Sequence, residues 1–106
     1  MKLKMAKQRV FEKIYQAVKK IPLGKVTTYG FISKYLAIKN PRIIGWALHA
    51  NKNPQVPCHR VVSKEGRLAE NYAFGGWQKQ KERLKKEGVT FKGKREVNLE
   101  KHLLGK

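Results

Sequence analysis

The chain has 106 residues, of which 25 are Lys or Arg and only 7 are Asp or Glu, so its formal net charge is +18 at pH 7. This length predicts one small domain over residues 1–106, and a hydrophobic fraction of 41% excludes a disordered tail. The single cysteine cannot form an internal disulfide, and no apolar run approaches the roughly 18 residues of a membrane span. So large a positive charge predicts a polyanionic partner. We therefore expect a nucleic-acid-binding domain in a reducing setting, cytoplasmic or nucleoid-associated.

Apolar spacing predicts three helices in the first half of the chain. Residues 9–20 repeat apolar side chains at helical intervals, and the basic residues before them do not form a signal peptide. The segment 21–28 ends this helix with Pro and Gly and provides a threonine to cap a second helix over residues 29–37. A third helix begins with Asn40 as its N-cap and Pro41 as its first helical residue. Two short helices joined by about three residues predict a helix-turn-helix, whose second helix is offered to DNA.

The second half predicts less regular structure around one more helix. Residues 56–62 are apolar and read as an extended segment, and residues 67–76 are irregular. The last clear helix spans residues 77–87 and ends at a glycine C-cap. Residues 89–91 predict a short strand, which completes a core over about residues 9–91. The tail of residues 92–106 is basic, and four of its apolar side chains can dock on the core: Val97, Leu99, Leu103 and Leu104.

The segment 56–62, Val-Pro-Cys-His-Arg-Val-Val, holds the only cysteine. A thiol is a weak nucleophile at neutral pH, because its pKa is roughly 8.5 and the thiolate is the reactive form. A neighbouring imidazole, a helix N-terminus or a cation lowers that pKa. Adjacent residues on a regular strand point to opposite faces, so Cys58 and His59 cooperate directly only if the chain bends, which Pro57 favours. The alternative is an inert, buried cysteine.

The order of these residues resembles the active-site signature of the O6-alkylguanine-DNA alkyltransferases. Residues 21–30, Ile-Pro-Leu-Gly-Lys-Val-Thr-Thr-Tyr-Gly, resemble the loop before that family's helix-turn-helix. Residues 42–45, Arg-Ile-Ile-Gly, resemble the start of its recognition helix. Tyr72, which precedes a Gly-Gly pair, resembles the substrate-pocket loop, and Glu87 resembles the residue at a helix end that supplies a carboxylate.

The resemblance extends over about residues 10–91 and covers the family's C-terminal, DNA-binding and catalytic domain, without its N-terminal domain. It implies a mainly α fold with minor β structure, arranged as a winged-helix-like helix-turn-helix domain that acts as a monomer. The implied partner is double-stranded DNA, which such a domain enters from the minor groove to flip an alkylated guanine out of the stack. The implied activity is DNA repair by irreversible transfer of the alkyl group to Cys58, once per molecule.

The resemblance also assigns DNA-binding residues. Arg42 would enter the base stack and occupy the space of the flipped nucleotide, which suits a long, planar, charged side chain. Tyr29 would press on the neighbouring phosphate and contact the base. Gly45 has no side chain and would let the recognition helix approach the DNA backbone closely. Thr28 and Arg60 are the further expected DNA contacts.

The implied chemistry is a direct displacement at the alkyl carbon. Cys58 would attack, His59 would take the thiol proton through a water, and Glu87 would hold the imidazole in the required tautomer. Asn51 stands where the family has an asparagine that braces the active-site loop, and Tyr29 would donate a hydrogen bond to the leaving guanine. No cofactor and no metal is expected, since one Cys and three scattered His make no zinc pattern. The expected substrate-pocket residues are Tyr72, Val56, Pro57 and Trp46.

The pocket loop departs from the family pattern. Residues 69–76, Ala-Glu-Asn-Tyr-Ala-Phe-Gly-Gly, are longer and bulkier than the usual Gly-Tyr-x-Gly-Gly. Residues 78–84 and the short chain are more similar to the alkyltransferase-like proteins, which bind alkylated guanine, usually have Trp in place of the cysteine, and flag the lesion for excision repair. Because Cys58 is present, alkyl transfer is the favoured hypothesis. The alternatives are a lesion-binding protein that recruits excision-repair partners, and a plain helix-turn-helix regulator.

Overall fold

A computed structural model describes the backbone of residues 2–105 and the side chains of residues 7–105. Within these residues the chain forms five α-helices, one 3-10 turn and a two-stranded sheet. The elements in chain order are α1 (Lys2–Lys19), β1 (Thr27–Thr28), α2 (Tyr29–Tyr35), α3 (Arg42–Ala50), the 3-10 turn (Cys58–Arg60), β2 (Val61–Val62), α4 (Gly76–Lys86) and α5 (Leu99–His102). The predicted fold class, mainly α with minor β, is confirmed. No helix in residues 2–105 combines the length and the apolarity that crossing a membrane requires.

Helix α1 packs against both helices of the helix-turn-helix through its apolar stripe. Ile14 and Val18 are fully buried on it, and Ile44 of α3 faces them in the same core cluster. The Tyr15 hydroxyl donates a 2.7 Å hydrogen bond to the backbone carbonyl of Ala47 and so fixes α1 against α3. The predicted apolar positions are therefore correct, but α1 begins seven residues earlier than the expected start at residue 9.

The helix-turn-helix is present with different boundaries. Helix α2 ends at Tyr35, two residues before the predicted end, and Ala37 follows with a φ of 56°. The turn to α3 spans residues 36–41 and is thus longer than the three residues expected. Asn40 accepts the Arg42 backbone N–H through its side-chain oxygen at 3.0 Å, while Pro41 precedes the helix. The helix therefore begins one residue later than predicted, so Pro41 and not Asn40 is the N-cap residue, although the Asn40 side chain still accepts the first helical N–H.

The predicted linker and the end of the predicted extended segment 56–62 pair to form the sheet. Thr27 lies opposite Val61 and Thr28 opposite Val62 in parallel register. Residues 58–60 form a 3-10 turn and are not extended as predicted, because Pro57 precedes them and its carbonyl accepts the Arg60 N–H at 3.0 Å. The sheet therefore brings the start of α2 beside the end of this turn.

A second core cluster lies under α4 and the tail. Its fully buried members include Val26, Val62 and Leu84. Gly88 has a φ of +88° and follows α4 as the predicted glycine cap. Residues 89–91 are not a strand, since only Phe91 forms an isolated bridge, with Val97.

The tail docks on this core as predicted. Val97 is buried and Leu99 packs beside it, whereas Leu104 reaches the first cluster. The Val26 N–H donates to the His102 carbonyl at 3.0 Å, and the Val26 carbonyl accepts the Leu104 N–H at 2.8 Å. These bonds hold the tail beside β1.

Candidate functional site

One pocket of about 320 Å³ opens beside α3 and reaches the cysteine. Its walls come from five separate parts of the chain, namely the start of α2, one side of α3, the 3-10 turn, the loop before α4, and α4 itself. The lining residues include Tyr29, Trp46, His49, Cys58, Tyr72 and Gln80. The pocket thus joins the helix-turn-helix to the cysteine turn.

Cys58 lies at the bottom of this pocket and is 5% exposed. Successive residues of a 3-10 turn are rotated by roughly 120°, so Cys58 and its two neighbours project in different directions. The Asn51 side-chain amide donates to the Cys58 sulfur at 3.2 Å, and the Asn51 oxygen accepts the Asn53 N–H at 3.0 Å. Burial raises the pKa of the Cys58 thiol, although the hydrogen bond from Asn51 and the positive charge of Arg83 act in the opposite direction. The thiol is therefore protonated at neutral pH and needs a base to become a nucleophile.

His59 and Glu87 form the hydrogen-bonded pair that the sequence suggested. The His59 Nε2 lies 2.9 Å from a Glu87 carboxylate oxygen. A carboxylate only accepts, so Nε2 carries the proton and Nδ1 holds a lone pair. Nδ1 is buried and has no hydrogen-bond partner in residues 7–105. Burial lowers the pKa of His59 even though Glu87 acts against that change, so the imidazole is neutral at pH 7 and can accept a proton.

Arg60 holds Glu87 in place from inside the protein. Its Nε and Nη2 donate to the two Glu87 oxygens at 3.0 and 2.7 Å, and its Nη1 donates to the Ile21 carbonyl at 2.8 Å. Burial alone would raise the pKa of Glu87, but hydrogen bonds from Arg60 and His59 outweigh it and lower the pKa. Arg60 was expected to contact DNA; its donors are instead used within the fold, and we do not include it in the DNA interface.

Thr28 caps α2, and Tyr29, the first residue of that helix, lines the pocket. The Thr28 hydroxyl oxygen accepts the Phe31 N–H at 3.1 Å and thereby caps the helix. Tyr29 lines the pocket, and burial raises the pKa of its hydroxyl, so the phenol remains a hydrogen-bond donor at neutral pH. The parallel pairing of β1 with β2 is what brings this tyrosine to the pocket that contains Cys58.

The four residues expected to form the substrate pocket do not all line it. Tyr72 is 7% exposed and lines the pocket, and Trp46 lines it while remaining 59% exposed. Val56 is buried in the first core cluster, and Pro57 is buried at the start of the 3-10 turn. Neither of them reaches the pocket, because the turn directs only Cys58 towards it. The assignment of Val56 and Pro57 to the pocket is therefore wrong.

Arg42 and Gly45 lie on α3 with open space around them. Arg42 is exposed, and its guanidinium makes no hydrogen bond or ion pair with the part of the chain that the structure describes. A Cβ atom at Gly45 would meet no heavy atom within 4 Å. The fold itself does not require glycine there, so a reason for glycine has to come from outside the chain.

Gln80 was not recognised from the sequence and connects three parts of the site. Its amide nitrogen donates to the carbonyls of His59 and Val61 at 3.2 and 3.1 Å, and its oxygen accepts the Ala69 N–H at 2.7 Å. The side chain is 1% exposed. The sequence did contain a sign of this role. Residue 80 falls on the inward-facing stripe of α4 with Trp77 and Leu84, where a polar residue is unusual.

Two further contacts were also missed. The Arg83 guanidinium carbon lies 6.0 Å from the Tyr72 ring centre and 5.5 Å from that of Phe74, which fixes the pocket loop by cation–π contacts. The His49 Nδ1 lies 2.9 Å from the Asn71 carbonyl and ties α3 to the same loop. In residues 7–105, no group of three His, Cys, Asp or Glu side chains could hold a metal ion.

Comparison with known proteins agrees with this geometry. The family described as 6-O-methylguanine DNA methyltransferase, DNA binding domain, matches residues 9–89. Alkyltransferase-like protein 1 of Schizosaccharomyces pombe is 36% identical, and the match covers 93% of this chain and 97% of that protein. The methylated-DNA–protein-cysteine methyltransferase of Methanocaldococcus jannaschii is 42% identical over 76% of this chain, which spans only 48% of that protein.

Two solved structures show the same difference in coverage between the two kinds of relative. The S. pombe alkyltransferase-like protein in complex with damaged DNA containing O6-carboxymethylguanine gives a TM-score of 0.82 at 33% identity, with 93% of this chain and 97% of that chain covered. The O6-methylguanine-DNA methyltransferase of Pyrococcus kodakaraensis gives 0.65 at 37% identity, with 76% and 46% covered. This protein belongs to the family of the 6-O-methylguanine DNA methyltransferase DNA-binding domain, a family of DNA alkyl-lesion repair.

Proposed function

We propose that this protein repairs DNA directly, by transferring the alkyl group of an O6-alkylguanine to Cys58. The observation that carries the proposal is the set of groups around that thiol. Cys58 lines a pocket of about 320 Å³, the Asn51 amide donates to its sulfur, and the next residue in the chain is a neutral histidine that donates to the Glu87 carboxylate. A buried cysteine with a purely structural role needs neither the base nor the open pocket.

The DNA partner follows from the charge and from the elements around the pocket. The net charge of +18 favours a phosphate backbone, and the pocket opens between the start of α2 and the exposed side of α3. We assign Arg42 to the space left by the flipped nucleotide, Tyr29 to the base and its phosphate, and Gly45 to the close approach of α3. Thr28 is a further backbone contact. The duplex is entered from the minor groove by a monomer acting as one domain.

The proposed reaction balances without a co-reactant. The sulfur of Cys58 forms a bond to the alkyl carbon as the bond from that carbon to the guanine O6 breaks. The thiol proton passes through a water to His59 Nδ1, which can accept it because Nε2 donates to Glu87. The Tyr29 hydroxyl donates a proton to the leaving guanine, and solvent carries the proton from His59 back to Tyr29, so the proton lost by Cys58 ends on the guanine. The products are unmodified guanine and a thioether on Cys58, which explains why one molecule would react once.

A second candidate is a lesion-binding protein that recruits excision-repair partners. It is supported by the nearly complete overlap with the alkyltransferase-like protein, against about half of each methyltransferase. The long pocket loop supports it as well. It is weaker for this chain, because Cys58 occupies a position where those relatives usually carry Trp.

Intact mass distinguishes the two candidates. The protein is incubated with a duplex that carries one O6-methylguanine, beside Cys58→Ala and an unmodified duplex as controls. Gain of one methyl group by the wild type and not by Cys58→Ala supports transfer. Tight binding that prefers the lesion, without any mass gain, overturns transfer and favours the lesion-binding protein.

A further inference from the structure

We propose that a cleft between α1 and α2, distinct from the cysteine pocket, docks a partner protein that inserts one apolar side chain from an acidic segment. The cleft is a cavity of about 210 Å³ with aliphatic walls from Ile21, Ile32 and Leu104. Pockets that bind drug-sized ligands measure about 300–1,000 Å³, so this one suits a single side chain. It shares no lining residue with the pocket that contains Cys58.

Two aromatic side chains stand exposed at the mouth of the cleft. Phe31 is 48% exposed and Tyr35 is 58% exposed, and their rings stack with centres 6.3 Å apart and planes inclined by 11°. A contiguous exposed apolar surface of this kind marks an interaction site more often than scattered residues do. Aromatic residues around a pocket are also the residues that carry binding energy at protein interfaces.

The positive charges around the cleft favour a partner segment that carries acidic residues. Arg9, Lys13 and Lys20 line the groove that continues from the cavity along α1, with Glu12 as the one carboxylate of that lining. None of these three cations lies within 4 Å of a carboxylate in the described part of the chain. The Lys20 ammonium lies 5.8 Å from the Tyr35 ring centre, so the aromatic mouth and the cationic groove are continuous.

A protein segment fits this cleft better than a second stretch of DNA. Helix positions advance by about 100° per residue, so Phe31 and Tyr35 lie roughly 200° and 240° around α2 from Tyr29, which faces the cysteine pocket. The two surfaces therefore point away from each other. The cavity is lined mainly by aliphatic side chains with one cation, Lys20, so it can enclose a Leu or Phe side chain but offers a phosphodiester few donors.

The test uses the whole protein and a defined probe. The probe is a fluorescent peptide of Glu and Asp residues with one central Leu, and its counterpart has Ser in place of that Leu. Binding is measured by anisotropy, and the site is mapped by ¹H–¹⁵N spectra. We expect the Leu peptide to bind at least about tenfold more tightly, with shifts centred on Thr27, Phe31 and Tyr35.

Matched variants separate this cleft from general charge attraction. Phe31→Ser with Tyr35→Ser should abolish the preference for Leu, whereas Leu23→Ser, an exposed apolar residue outside the cleft at 68% exposure, should leave it unchanged. Alkyl transfer by these variants should stay at the wild-type rate, so failure here is distinguishable from failure of the proposed function. Equal binding of both peptides, or no binding, overturns the proposal. The proposal is also overturned if an undamaged DNA duplex, added without the peptide, produces the same spectral shifts at these residues.

Discussion

Replacement of Gln80 by Leu tests how the site is held together. Gln80 is fully buried and makes three hydrogen bonds, to the His59 and Val61 carbonyls and from the Ala69 N–H. Leu has a similar size and no polar group, so the substitution removes the bonds and leaves the cavity filled. Each buried group that loses its partner is destabilised by about 1–3 kcal/mol.

The three losses do not simply add, because each carbonyl has a second lone pair and Leu gains apolar burial. We expect the free energy of unfolding to fall by about 3–5 kcal/mol, out of the roughly 5–15 kcal/mol typical of a domain. The melting temperature should fall by roughly 15–25 °C. Urea unfolding followed by circular dichroism measures the first quantity, and a thermal scan the second.

Gln78→Leu is the matched control, since Gln78 is an exposed position of the same helix, and its effect should stay within about 0.5 kcal/mol. At a temperature where all variants are folded, Gln80→Leu should also slow alkyl transfer, because the turn that carries His59 loses its anchor. A loss below about 1 kcal/mol for Gln80→Leu would refute the reasoning, since the three hydrogen bonds would then contribute almost nothing net.

Four further predictions concern the site. Because the folded pKa of Glu87 is lowered from 4.5, its ionised carboxylate stabilises the fold above that pH, and this stabilisation is lost as the pH falls through the folded pKa. Glu87→Gln should therefore reduce the loss of folding stability at acidic pH. An unchanged loss of stability in this variant would contradict the prediction. Because the pKa of His59 is lowered from 6.5, the transfer rate should persist below pH 6.5 and fall only where the imidazole becomes protonated, as quenched mass measurements across pH would show. Asn51→Ala should raise the pKa of Cys58 further and slow its alkylation by iodoacetamide at pH 8, whereas a faster reaction would mean that Asn51 shields the sulfur. Arg42→Ala should weaken binding to lesion DNA about tenfold or more at constant salt without changing the melting temperature, because the side chain is exposed and unpaired within the described residues.

The helices and their caps could be predicted because they depend on neighbours in the sequence. The apolar stripes of α1 and α3 and the capping of α2 by Thr28 follow from spacing and side-chain chemistry over three or four residues. The 3-10 turn at Cys58 was missed, since apolar and β-branched neighbours favour an extended chain and only the proline opposed it.

The sequence by itself determined the positive charge, the single cysteine and its histidine neighbour, and motifs specific enough to indicate the family. The tertiary structure decided which of these groups meet. Glu87 contacts His59 across 28 residues, and parallel pairing of two-residue strands brings Tyr29 to the cysteine pocket. The sequence predicted Arg60 as a DNA contact, but its guanidinium donates instead to the Glu87 carboxylate and to the Ile21 carbonyl, 39 residues away. Such partners are selected by packing and by the need to satisfy buried polar groups, which no local pattern encodes.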